Sequence, residues 1–166
     1  MKNPYKLVSF LIVSAVLFSF KPVYQANFSG TWSLNEGKSE LGQFGARAAA
    51  SRITVDQKED AITITRATAD LQGNPTALTE TLGYDGKESE STGFANSKKK
   101  SSLKWSADGN SFIVSYTIAF DRGGQVTELK GSETWSLGAD GKSLLLQNSL
   151  STPQGDFATK AAYDKQ

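Results

Sequence analysis

One phrase constrains this chain more than any other: a tryptophan followed by serine, then a glycine-bearing turn. Its fullest form runs from Gly131 to Leu146, with a strand ending in Glu133-Thr-Trp135-Ser-Leu137, a turn at Ala139-Asp140-Gly141-Lys142, and a returning Ser143-Leu-Leu-Leu146. Asp140-Gly141 offers the positive-φ position that a two-residue hairpin turn requires, and apolar residues flank it on both sides. The phrase recurs at Trp105-Ser106 before Asp108-Gly109-Asn110, and at Trp32-Ser33 before Glu36-Gly37-Lys38. Read this way, the repeated unit is a β-hairpin with an aromatic anchor on its incoming strand.

The rest of the chain follows the same pattern. Strands are expected at 29–34, 52–57, 61–67, 76–84, 101–106, 112–120, 126–137, 143–150 and 157–163. Alternation is clearest in Phe112, Val114, Tyr116, Ile118 and Phe120, which fall on one face. Ile53 and Val55 share a face, as do Ile62 and Ile64, with threonines opposite. Residues 36–50, ending in Ala46-Arg-Ala-Ala-Ala50, suit one short helix or a mobile flap. Residues 88–100 read as irregular and polar, and the Lys98-Lys99-Lys100 triplet at their end reads as a solvated loop. About nine strands joined by short connections imply an antiparallel up-and-down meander. Closure into a single β-barrel removes the edges of such a meander. A two-sheet β-sandwich is the alternative.

The N-terminus carries a different message. Lys2 and Lys6 precede the apolar run Leu7–Phe20, which Lys21-Pro22 ends. The run is shorter than the roughly 20 residues a membrane-spanning helix needs. It has the layout of a signal peptide cleaved near Ala26, so residues 1–26 are assigned to the signal and 27–166 to one domain. The mature protein is then expected outside the cytoplasm, periplasmic or extracellular, with no stable membrane insertion. Of 18 Lys and Arg, three are lost with the signal; 15 remain against 17 Asp and Glu, a net charge of −2. That balance gives no electrostatic basis for nucleic-acid binding.

The absence of histidine and cysteine removes whole classes of chemistry. There is no His-based triad, no thiol nucleophile, no ordinary zinc site and no disulfide staple. Neither Asp108-Gly109-Asn110 nor Asp140-Gly141-Lys142 has the carboxylate ladder of a calcium loop. No cofactor or metal is expected, and the chain does not read as an enzyme.

Alternation points to three charges on apolar faces. Arg66 shares parity with Ile62 and Ile64, Glu80 with Leu78 and Leu82, and Glu133 with Leu129 and Trp135. A charge on such a face is costly unless paired or wet. Two readings stand. In one, Arg66, Glu80 and Glu133 line a ligand cavity with Tyr116, Phe120 and Trp135, where the arginine suits a carboxylate by bidentate hydrogen bonding. In the other they lie at strand ends, or form a buried ion pair with no ligand.

With Ser29-Gly30-Thr31-Trp32 on its first strand, the chain resembles the calycin superfamily, which includes lipocalins and fatty-acid-binding proteins. Its Lys104-Trp105 strand and its Glu133–Leu144 hairpin resemble those of bacterial exported lipocalin-like proteins. The structural motif residues are then Gly30, Trp32, Trp105, Asp140 and Gly141. The resemblance implies a barrel plugged at one end by Trp32 under a basic side chain, for which Lys160 is the candidate. It also implies a small apolar ligand, with a carboxylate end as one form of it. Haem ligation through histidine is excluded. A filled barrel whose loops at 36–50 and 88–100 bind another protein is the alternative function.

Overall fold

The computed structural model describes residues 25–70 and 72–166. The expected signal segment therefore lies almost wholly outside the described residues. Ten antiparallel strands form one sheet: β1 (Gly30–Leu34), β2 (Arg52–Gln57), β3 (Ala61–Ala69), β4 (Pro75–Gly83), β5 (Ser89–Thr92), β6 (Lys98–Trp105), β7 (Ser111–Arg122), β8 (Gln125–Leu137), β9 (Ser143–Thr152) and β10 (Gly155–Lys165). Their spatial order is β4-β3-β2-β1-β10-β9-β8-β7-β6-β5. Apart from β4 and β5, each strand pairs with its neighbour in sequence, and β1 pairs with β10 to carry the sheet round. This is the antiparallel up-and-down barrel, not the sandwich.

Two features differ from the sequence expectation. The described residues hold ten strands, because β5 and the start of β6 occupy the stretch read as irregular. Their polar, lysine-rich residues hide the alternation, yet Glu90 pairs with Lys100 and Ser91 with Lys99 in register. The barrel is also not fully closed. β4 and β5 lie side by side at the ends of the hydrogen-bonded order, without a ladder between them.

The repeated tryptophan phrase builds the closed end. The turns after Trp105 and Trp135 reverse the chain at Gly109 (φ 71°) and Gly141 (φ 64°). Asp108 and Asp140 stiffen them by accepting from the amides of Asn110 (3.1 Å) and Lys142 (2.9 Å). Between them Phe112 stacks on Trp135 at 5.3 Å and meets Trp105 at 5.2 Å and Phe28 at 4.8 Å. Trp32 is fully buried and its indole donates to the Phe28 carbonyl at 3.0 Å. Each such side chain contributes roughly 2–3 kcal/mol by leaving water, so the plug is a major part of the core.

Trp32 is not the start of a third hairpin. Its strand runs away from the closed end, and Gly37 does not adopt the positive φ that would turn the chain back. Instead Asn35 caps a short 3-10 turn, Glu36–Lys38, by accepting from Lys38 N at 3.1 Å. The chain continues beside β10, bridged at Glu40 and Lys160. A second 3-10 segment, Gly42–Ala48, kinks at Gly45 and lies over the other end of the barrel. Residues 36–50 thus form two 3-10 turns, with no α-helix among them.

The basic side chain over Trp32 is Lys165, not Lys160. Its ammonium lies 5.1 Å from the ring centroid, while Lys160 pairs at the surface with Glu40 at 3.4 Å. β10 alternates, so Lys165 shares the inward face of Ala161 and Tyr163 and Lys160 does not. Gly30 makes room: a Cβ there would come within 2.9 Å of Lys165 Cε.

Candidate functional site

Arg66, Glu80 and Glu133 meet inside the barrel, above the aromatic plug. Arg66 reaches both carboxylates with separate nitrogens: Nη1 donates to Glu80 Oε1, and Nη2 donates to Glu133 Oε2 at 2.6 Å. The indole of Trp135 donates to the same Glu133 oxygen at 3.0 Å, and the Arg66 guanidinium lies 5.4 Å over the Trp135 ring. Glu80 is further held by Ser101 Oγ and by Lys99 Nζ, each at 3.0 Å.

Lys99 was the side chain the sequence concealed. It is not in a solvated loop: it is the second residue of β6, buried, and shares the inward parity of Ser101, Leu103 and Trp105. Its ammonium lies 4.9 Å over Tyr116. Lys98 and Lys100 point outward and are exposed. The network therefore holds two cations and two carboxylates and is balanced in charge.

The electrostatics follow from this balance. Burial works against the Arg66 charge, but Glu133 and Glu80 overcome it and hold its pKa above the ordinary arginine value. Burial also works against ionised Glu80; Arg66 and Lys99 outweigh it and lower its pKa to about 2. Burial raises the pKa of Tyr116 and of Tyr163. Arg66 and Glu80 are thereby held as ions.

Tyr116 reaches across β8 to donate to Asn148 Oδ1 on β9 at 2.6 Å. Its path runs over Gly131, where an added Cβ would collide with the phenol ring. Thus Arg66, Glu80, Glu133, Trp135 and Tyr116 belong to one assembly. Phe120 does not. It is two inward positions further along β7 than Tyr116 needs, half-buried, in the wall of the barrel mouth.

The barrel is accordingly solid below the ionic network and open above it. Trp32, Phe112, Leu82, Leu103, Leu144 and Tyr163 are each no more than 1% exposed. Inward-facing Leu78, Ile118, Phe120, Leu129, Leu150 and Phe157 are only half-buried. The mouth holds two depressions flanking Phe94. One, of about 920 Å³, is walled by Phe120, Leu129, Val126 and Pro153. The other, of about 680 Å³, lies under the 42–48 turn and includes Ala46, Ala49, Thr68 and Pro75. Phe44, Phe94 and Val126 stand exposed around this rim, with Phe44 edge-on to Phe157 at 5.2 Å. Among the described residues no three acidic side chains converge as a metal site.

The fold is found in known structures. Zebrafish ileal bile acid-binding protein, solved in complex with cholic acid, is similar over 84% of this chain and 98% of its own, with 16% identity and a TM-score of 0.55. At that identity the likeness is one of fold: a calycin-like antiparallel barrel. No family model matches the chain, and no curated protein matches it in sequence.

Proposed function

We propose that this protein is a non-catalytic barrel that holds a small apolar molecule in the mouth half of its lumen. The observation that carries this reading is the division of the barrel at the ionic network, with a packed plug below and half-buried apolar side chains around open space above. The mouth depressions fall in the size range of small-molecule sites, roughly 300–1,000 Å³. The zebrafish protein supports a small-ligand role by its fold and by the cholic acid in its structure. An acid–base enzyme fits poorly: general acids and bases work with a pKa near the operating pH, and Glu80 is held near 2. Export across the cytoplasmic membrane, with cleavage near Ala26, is part of the same proposal and rests on the N-terminal sequence.

The test is native mass spectrometry of the mature protein from its own host, followed by denaturation and extraction. A stoichiometric small-molecule mass that disappears in Leu129→Glu supports the reading, because Leu129 lines the mouth. An empty protein that also fails to bind any neutral apolar probe removes it. The exposed rim of Phe44, Phe94 and Val126 favours a second reading, in which the mouth contacts another protein. That reading predicts tight binding of a partner by a protein that takes up no small molecule.

A further inference from the structure

Between the mouth and the plug, beside the ionic network, lies a small chamber of about 110 Å³. Its walls include Ala49, Arg66, Glu133, Asn148, Thr159 and Tyr163. Ala49 also belongs to the wall of the mouth depression of about 680 Å³, so the two spaces share that wall. The chamber is too small for a whole ligand and of a size for one polar end group.

Its hydrogen-bonding groups are unevenly used. The Tyr163 side chain is fully buried, and its hydroxyl faces the Ala50 amide without a hydrogen bond of good geometry to any described residue. A buried hydroxyl without a partner has lost its water without regaining a hydrogen bond. Asn148 spends Oδ1 on Tyr116, which leaves its amide N–H groups as donors. Glu133 spends Oε2 on Arg66 and Trp135, and Oε1 makes no hydrogen bond among the described residues. The chamber thus offers donors from Tyr163 and Asn148 beside a carboxylate oxygen that can only accept.

Arg66, meanwhile, is already bound to two carboxylates. A ligand carboxylate entering here would meet Glu133 at close range and would have to displace one of the arginine's own partners. A neutral hydroxyl has neither difficulty: its oxygen accepts from Tyr163, and its proton goes to Glu133 Oε1. We infer that the chamber receives the neutral, hydroxyl-bearing end of an apolar ligand and discriminates against the carboxylate-ended analogue. This deepens the ligand-holding reading above and rests on it.

The experiment compares dodecanol, dodecanoate below its micelle concentration, and dodecane at pH 7.5. Each displaces the neutral fluorophore N-phenyl-1-naphthylamine from the mature protein. Dodecanol is expected to bind about tenfold more tightly than dodecanoate, and Tyr163→Phe, which removes only the unpartnered oxygen, to reduce the affinity for dodecanol about three- to tenfold while leaving dodecane unchanged. Dodecanoate binding as well as or better than dodecanol overturns the inference. So does a Tyr163→Phe protein that keeps the wild-type affinity for dodecanol. In both cases the ligand-holding reading stands, since the mouth is still occupied. If neither the fluorophore nor any of the three chains binds, both fall together.

Discussion

Arg66 and Glu80 are diagonal neighbours, not facing ones: the β3–β4 register sets Arg66 opposite Leu78 and Glu80 opposite Ile64. The diagonal leaves the guanidinium a second edge free to cross the lumen to Glu133 on β8. One arginine thus ties together strands five places apart in the sheet order, and Glu80 extends the tie to β6 across the unpaired β4–β5 seam through Lys99 and Ser101. Side chains do there what backbone ladders do elsewhere.

Removing the arginine alone should therefore be worse than removing the whole network. Arg66→Met leaves Glu80 and Glu133 buried with Lys99 as the remaining cation, and a loss of roughly 3–5 kcal/mol is expected in urea unfolding. The combined replacement Arg66→Met, Glu80→Gln, Lys99→Met, Glu133→Gln strands no charge and should return to within about 1–2 kcal/mol of the parent. A combined variant no more stable than Arg66→Met would sink this account of the network.

Acid should loosen the same tie. The pKa of Glu80 is depressed from 4.5 to about 2 on folding, so its contribution is complete above about pH 4.5 and is lost as the pH falls toward 2. The amount at stake is roughly 3 kcal/mol. Urea midpoints measured from pH 6 to pH 2 should fall across that window, and Glu80→Gln should flatten the fall. An unchanged slope in Glu80→Gln would assign the acid sensitivity to other carboxylates.

How far the sequence disclosed this arrangement depends on whether apolar neighbours announce a residue's parity. Arg66, Glu80 and Glu133 could be placed together because each interrupts an alternating apolar face. Lys99 could not, because it sits between two lysines; only counting back from Leu103 and Trp105 gives its side of the sheet. Lys165 has the same parity as Tyr163, but Asp164 and Lys165 are both charged and show no apolar alternation to mark a strand there. Tyr163, Asn148 and Thr159 form the chamber through the pairing of β8, β9 and β10, and such lateral contacts leave no trace along any one strand. Phe120 shares the inward parity of Tyr116 but lies in the wall of the mouth, away from the ionic network, because parity sets the face but not the depth.

Gly131 carries a prediction of its own. The Tyr116 ring lies where a Gly131 side chain would be, so Gly131→Ala forces the phenol off Asn148 or pushes the strands apart. Overpacking of this kind costs about 1–3 kcal/mol, occasionally more. In the background Tyr116→Ala the collision disappears, and the same glycine substitution should cost less than half as much. Chemical denaturation of the four proteins closes the cycle. Equal costs in the two backgrounds would mean that the Ser149 carbonyl, also close to the added methyl, is the real obstacle.

The last prediction concerns where the mature chain begins. Ala26 is clamped at the closed end: its amide donates to the Gly109 carbonyl at 2.8 Å, and its carbonyl accepts from Gln57 Nε2 at 3.1 Å. The same Gln57 side chain accepts from Phe28 N at 2.8 Å, so it orients both the clamp and the first aromatic of the plug. A cut directly after Ala26 removes both Ala26 bonds and leaves one end of Gln57 unengaged. A protein beginning at Gln25 should therefore be more stable than one beginning at Asn27 by about 1–2 kcal/mol. Gln57→Ala should erase most of that difference, since it removes one of the two bonds and frees the segment that makes the other. The exported protein is expected to retain Ala26, with the signal cut on its N-terminal side. Intact mass of the protein recovered outside the cytoplasm decides this directly, and a chain starting at Asn27 would show that the aromatic plug holds the closed end without the clamp.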